Sequence, residues 1–160
     1  GYDYYIYIWV DIKGYYNTND LREVKLSADK SCIGPSKEFD AFYAYTTVHC
    51  EQNTVIEPIT LKRPFALINF SATGLEDVQI QFDAPDCMNL KTGELSIVLT
   101  HKYTVSKISD GIITAFDYVF APDGGTEMDY SFMIGPGGEE KIIKVPVYRN
   151  RRTNIIYNAN

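Results

Sequence analysis

Few residues in this chain could do chemistry, and their types and spacing limit what that chemistry could be. Histidine occurs only as His49 and His101, and the two do not form the i,i+4 pair that holds zinc on a helix. His49 is followed by Cys50, and adjacent strand side chains point to opposite faces, so this pair does not converge on one metal. Cys32, Cys50 and Cys87 make an odd set without a short spacing. Two readings stay open for them: three separate buried thiols acting as small apolar side chains, or one bridge plus a free thiol in an oxidising compartment. Glu139 and Glu140 follow a glycine turn, where a solvated pair is the ordinary outcome, and no carboxylate spacing singles out a glycosidase pair. DAPD (83–86) and PDGG (122–125) lack the alternating oxygen ligands of a calcium loop. There is no G-x-S-x-G elbow and no glycine-rich phosphate loop. The expectation is a non-enzyme with no cofactor and no metal.

Charge narrows the partners. The 160 residues carry 15 basic and 21 acidic side chains, a net charge of −6. Every acid lies within 1–140, while 141–160 hold Lys141, Lys144, Arg149, Arg151 and Arg152, so the ending is +5 and the body −11. Nucleic-acid binding draws its affinity from a basic face and released counterions, so an acidic body excludes that class. The terminal arginines are read as flanking a final strand, with Arg149 and Arg151 on one face and Arg152 on the other. There they would lock that strand to the acidic body through forked hydrogen bonds. No run approaches the ~18 apolar residues that cross a bilayer as a helix. The chain opens on Gly1 and is expected to be either a processed, mature form or a cut fragment, in both cases without its leader.

The elements that must position these residues read as strands. Met128, Tyr130, Phe132 and Ile134 alternate with Asp129, Ser131 and Met133, and Val78, Ile80 and Phe82 with Gln79 and Gln81, the two-residue repeat of a half-buried strand. Ile112, Thr114, Phe116, Tyr118 and Phe120 repeat it, and are expected to form that strand's apolar face. Turns are signalled at KTG (91–93), SDG (109–111), PDGG (122–125) and GPGG (135–138), so the second half reads as an antiparallel meander. The first half supplies DYYIYIWVDI, LREVKL, FDAFYAYTTVHC and VIEPITLKRPFALINF as further strands, with one helical turn near SKEFDAF. Pro146 places its strand at an edge or a bulge, because proline cannot donate to a central ladder, and Pro64 marks a bend or a passage between sheets. The sum is an all-β fold, an antiparallel β-sandwich or a barrel, in a single domain over 1–160.

Tyrosine is the unusual entry, with 13 residues. In the opening strand both alternating sets are bulky, so the strand is read as central or covered on both faces, with Tyr2 to Trp9 expected in the core; as an edge it would be a pairing hazard unless something covered it. Tyr15 and Tyr16 sit in a polar loop and are open to either reading, core or contact surface. Asn69-Phe70-Ser71 matches a glycosylation acceptor but falls within a strand, and is set aside.

Two stretches carry a resemblance. ITLKRPFALINF (59–70), followed by KVPVYRNRRTNIIYN (144–158), resembles the fimbrillin-like surface proteins of Bacteroides-type bacteria, the family of major fimbrial subunits and fimbrial adhesins. The matching positions are Arg63, Pro64, Phe65 and Ala66, then Val145, Pro146, Arg149, Asn150, Arg152, Thr153 and Asn154; GYYNTNDLREVKL (14–26) is similar to an early segment of the family. The resemblance implies a transthyretin-like or immunoglobulin-like sandwich with Greek-key or meander order. It also implies an exported, lipid-anchored precursor at the cell surface or outer membrane, whose only link to the membrane is that anchor. Its partners would be other fimbrial subunits or a host surface protein or glycan, with subunits joined by donated strands. The alternative is a monomeric module that binds glycan or host protein through exposed tyrosines.

Overall fold

The computed structural model describes residues 1–27, 37–107, 111–135 and 137–159. In chain order the strands are β1 (Tyr2–Asp11), β2 (Tyr16–Asn17), β3 (Val24–Leu26), β4 (Ala41–Cys50), β5 (Phe65–Thr73), β6 (Asp77–Met88), β7 (Leu95–Ser106), β8 (Ile112–Phe120), β9 (Thr126–Ile134), β10 (Glu140–Val147) and β11 (Arg152–Asn158). A 3-10 turn at Lys37–Phe39 fills the place expected for a turn of helix.

Three sheets result. The large one runs β10-β9-β6-β3-β2, with β7 on the other edge of β6; the second is β11-β5-β8; and β1 pairs with β4 alone as a two-stranded ribbon. The two larger sheets sandwich a core to which β5 gives Ile68 and Phe70, β6 gives Val78, Ile80 and Phe82, β9 gives Tyr130 and Phe132, and β10 gives Val145 and Val147. The alternation read in β6 and β9 therefore faces inward as expected. A second cluster, centred on Phe65, Tyr16, Tyr43, Met88 and Phe120, joins the ribbon to the sandwich, with Tyr7 and Trp9 packed against it.

Several expectations are corrected. In β8 the inward residues are Ile113, Ala115, Asp117 and Val119, not the set containing Phe116 and Tyr118. The facing sheet already delivers Phe82, Tyr130 and Phe132 into a gap of about 10 Å, and close packing sets small residues opposite large ones. The second half is not a plain meander. β6 and β7 pair, as do β9 and β10, but β8 and β11 lie in the other sheet, so the chain crosses the core three times between β7 and β11. The SDG turn lies partly, and Cys32 wholly, outside the described residues. VIEPITLKRPFALINF becomes a strand only from Phe65, with one antiparallel bridge at Lys62 to Tyr43. Proline at 58 and 64 removes two donors from that stretch. Pro64 falls where the chain leaves the ribbon for β5, and Pro146 lies in the edge strand β10, both as read from the sequence.

The opening strand departs most from expectation. Tyr2, Tyr4 and Tyr5 are 77%, 53% and 58% exposed, because the ribbon projects past the sandwich and only its Tyr7–Trp9 end reaches a core. Tyr16 is buried, and its hydroxyl donates to the carbonyl of Phe39 at 2.6 Å. Cys87 is a buried free thiol, whereas the free thiol of Cys50 is only half-buried.

Candidate functional site

The two stretches that carry the resemblance meet in space. β11 lies parallel to β5, with Arg152 beside Leu67, Asn154 beside Asn69 and Asn158 beside Thr73. A parallel neighbour cannot follow a hairpin, and here the chain arrives by a tight turn at 148–151 after β10 in the opposite sheet. Asn150 takes the left-handed backbone that turn requires, with φ of 55°. Its N–H donates to the carbonyl of Phe65 at 2.8 Å, and its Oδ1 accepts from Arg63 Nη1 at 2.6 Å. Arg63 forks onto Asp40 through Nε at 2.6 Å and Nη2 at 2.8 Å, and this hydrogen bonding raises its pKa further. The Pro64 carbonyl accepts from Ala121 N–H, and Phe65 and Ala66 are buried. Thr153 donates to the carbonyl of Pro146 at 2.8 Å, and the amide of Asn69 donates to Asn154 Oδ1 at 3.0 Å.

Arg149 is the hub of this corner. Its side chain is 10% exposed. Nε donates to the Ala121 carbonyl at 2.5 Å, Nη1 to the Tyr43 hydroxyl at 2.7 Å and to Asp123, and Nη2 to the Gly93 carbonyl at 3.1 Å. One guanidinium thus ties β4 of the ribbon to the loops before β7 and after β8. The expected forked locking by Arg149 and Arg152 is redistributed. Arg63 makes the fork, Arg149 divides its bonds between two carbonyls, the Tyr43 hydroxyl and one acid of the body, Asp123, and Arg152 is exposed on the edge strand. The face assignment for Arg149 and Arg151 fails because both lie in the turn and not in a strand.

The ribbon presents open backbone. Tyr43 and Lys62 exchange both main-chain hydrogen bonds at 2.8 Å, so these groups of Tyr43 point away from β1. Alternation turns the N–H and C=O of Tyr45, Thr47 and His49 the same way. Antiparallel continuation would set Thr60, Pro58 and Ile56 opposite them, but Pro58 cannot donate, and residues 54–60 stand off. The result is a groove of about 690 Å³ lined by Tyr45, Thr47, His49, Val55, Pro58 and Lys91, among others. On the other side β4 pairs with β1 in the register Ala44 with Ile8 and Thr46 with Ile6, which leaves Asp3, Tyr5, Tyr7 and Trp9 with outward main-chain groups.

A buried carboxylate links the two large sheets, and the sequence reading missed it. Asp117 on β8 accepts from the Tyr103 hydroxyl at 2.6 and 2.7 Å and from the Tyr130 hydroxyl at 2.9 Å. Burial pushes its pKa up to about 6 against the pull of the two hydroxyls, and burial beside that carboxylate raises both tyrosines. The signal was present in TAFDYVF, one charge inside an apolar strand. Asp117 lines a cleft of about 500 Å³ between β7 and β8, together with Phe82, Tyr118, His101 and Asp86. Desolvation raises Asp86 to about 6 and lowers His101, which stacks on Phe82 at 5.0 Å. Asp117 is already held by two tyrosines, so the cleft does not present a free pair of catalytic acids.

A β-sandwich tied by an arginine corner, with open ribbon edges, is the class the geometry defines. The chain belongs to the family of unknown function DUF6562, whose model matches residues 2–158. No curated protein shows significant sequence similarity to it. Among solved structures it is similar to the fimbrial anchor protein Mfa2 from Porphyromonas gingivalis, at 16% identity and a TM-score of 0.57, over 89% of this chain and 59% of that one. It is also similar to a candidate adhesin from Bacteroides thetaiotaomicron, at 9% identity and 0.56, over 88% of this chain and 54% of the other. A further candidate adhesin, from Bacteroides ovatus, matches at 10% identity and 0.50, over 99% of this chain and 75% of its own. The chain therefore spans little more than half the length of the first two, and at these identities the likeness is one of fold.

Proposed function

We propose that this chain is a non-catalytic cell-surface subunit or adhesin of fimbrial type, acting as one β-sandwich domain over 1–160 and joined to its partners by β-strand addition. The observation that carries the reading is the β4 edge beyond Tyr43, where the main-chain groups of Tyr45 and Thr47 face a groove and not a neighbouring strand. An extended segment can add to such an edge through backbone hydrogen bonds while alternate side chains fill pockets. The fold shared with a fimbrial anchor and candidate adhesins supports the reading, as does the resemblance carried by Arg63 to Ala66 and Pro146 to Asn154. In this proposal the partners are other fimbrial subunits or a host surface molecule. The location is the cell surface or outer membrane of the producing bacterium, with any membrane link made by a lipid anchor on the precursor. The motif residues serve structure, holding β11 on β5.

Thr47→Pro removes a groove-facing N–H without touching the β1 ladder. Incorporation of the chain into sedimentable fibres with partner subunits should be lost while the fold is kept. Fibres that form equally well from the variant would count against strand addition. The second reading, a monomeric module gripping glycan or host protein, is favoured by the exposure of Tyr2, Tyr4 and Tyr5. Its mark would be glycan-array binding that Tyr4→Ala and Tyr5→Ala remove, in a chain that never assembles.

A further inference from the structure

The free strand edges of this molecule are not alike. β10 carries Lys141, Lys144 and Pro146; β11 starts at Arg152 beside Arg151; β7 carries Lys102 and is interrupted by Ile97, whose φ is 56°; β8 turns Asp117 inward; β2 has only two residues. Lysine, proline, kinks, inward charges and brevity are the devices by which proteins keep exposed strands from pairing with another chain. β1 has none of them between Asp3 and Asp11, the charges near its two ends. From Tyr4 to Val10 it holds no charge, no proline and no left-handed residue, only tyrosine, isoleucine, tryptophan and valine. Those are the residues that best fit a paired, pleated surface. Among the described residues it pairs with β4 alone, so ten residues of strand leave one side open.

We infer that β1 is a homotypic pairing edge. Two copies join antiparallel, β1 to β1, about a two-fold axis, giving a continuous sheet ordered β4-β1-β1-β4. The inference rests on the strand-addition reading above and names a partner for it, a second copy of this chain. A two-fold contact is self-complementary, so it must bring no like charges together.

The register follows from parity. The outward main-chain groups belong to odd-numbered residues, so a hydrogen-bonded ladder sets odd opposite odd. Centred on Tyr7, the pairing places Asp3 against Asp11, two like charges directly opposed. Centred on Tyr5 it sets Trp9 against Gly1, centred on Ile8 it sets Tyr5 against Asp11, and either choice shortens the ladder by leaving one end of the strand unpaired. Centred on Ile6, it places Asp3 against Trp9 and, twice by symmetry, Tyr5 against Tyr7, an aromatic cross-strand pair, with no opposed like charges, and it uses nearly the whole strand. On the other face Ile6 then meets its own copy, and Ile8 meets Tyr4.

Ile6 would lie on the axis in a non-hydrogen-bonded pair, where Cα atoms approach to ~4.5 Å, within disulfide reach. With Cys32, Cys50 and Cys87 changed to Ala, Ile6→Cys should give mostly cross-linked dimer on mild oxidation, and Ile8→Cys several-fold less. In the chain with its own cysteines, sedimentation should show a concentration-dependent dimer that Tyr5→Pro abolishes. The Tyr5 N–H points outward, so proline there leaves the β1–β4 ladder in place, and an unchanged far-ultraviolet spectrum checks this. Equal cross-linking of both cysteine variants overturns the register and with it the inference. So does a monomer at every concentration up to about 1 mM, the range of contacts too weak to count as specific. Fibres that assemble normally while this dimer is absent would sink the homotypic edge and leave the proposed function standing.

Discussion

In the sandwich the inward side chains meet a facing layer, and even the buried carboxylate of Asp117 is held by two tyrosine hydroxyls. In the ribbon, β1 and β4 have one another and little else: Trp9 and Tyr43 reach the second core, while the opposite end puts tyrosines into solvent. Both regions are built from the same kind of residue, alternating and aromatic-rich, so composition does not separate them. What separates them is cover. Surface apolar residues scattered singly are ordinary, but a long strand of them with a free edge marks a place of contact. On the proposed reading the sandwich serves to hold the ribbon out, and the corner around Arg149 is where the two are tied.

The sharpest way to break this comparison is to cut the tie between the regions. Arg149→Ala would leave the carbonyls of Ala121 and Gly93 and the Tyr43 hydroxyl without their donor in a largely buried corner. Unpaired buried polar groups of this kind cost about 3 kcal/mol together, a fall of roughly 10 °C in melting temperature for a chain of this size. Arg152→Ala removes an exposed side chain and should stay within ~0.5 kcal/mol of the parent. Two scanning-calorimetry traces decide it; equal effects would move the lock away from Arg149.

A smaller effect tests the closed side. Asp117 ionises near 3.9 in an unfolded chain, but burial raises it to about 6 in the fold. Between those values the folded chain binds more protons than the unfolded one, so stability is greatest at low pH and falls as pH rises through about 6. About two units correspond to ~3 kcal/mol as an upper figure. Asp117→Asn stays neutral throughout. Its stability relative to the parent should therefore rise between pH 4 and pH 8 by about 2 kcal/mol in urea titrations. Some slope should remain in both proteins, because Asp86 is also raised to about 6. A constant difference across that range would mean Asp117 is ionised in the fold at low pH as well.

Much of this was legible in the sequence, and the rest was not for physical reasons. Alternation exposed β6 and β9 because their apolar and polar residues are cleanly sorted. It misled in β8, where both faces are apolar and the choice of inward face depends on ring volume in the opposite sheet. Prolines announced the edge strand and the passage between sheets. They also broke the strand expected before Phe65, an effect that depends on which partner each proline would have faced. The arginine cluster was visible as composition, but the partners of Arg149, two carbonyls, a tyrosine hydroxyl and Asp123, are brought close only by folding. No local pattern encodes whether a strand such as β1 will be covered, since cover comes from elements distant in sequence.

The finest test concerns β7, the guarded counterpart of β1. Among the described residues, three other than glycine have positive φ: Asn53, Asn150 and Ile97. Asparagine tolerates the left-handed region because its short polar side chain can bond locally, whereas a β-branched residue is crowded there, at a cost of ~1–2 kcal/mol. Ile97 is about half exposed, so little burial offsets that strain. It faces Asp86, at the one position where the long β6–β7 ladder skips a pair. The kink spoils β7 as a template for another strand, a use that would explain keeping a poor residue in a poor conformation. Ile97→Asn should then stabilise the chain by roughly 0.5 kcal/mol and leave its association unchanged, because the backbone kink remains. If the melting temperature falls instead, the isoleucine is held by packing and not by the shape of the edge, and β7 loses its place as the foil to β1.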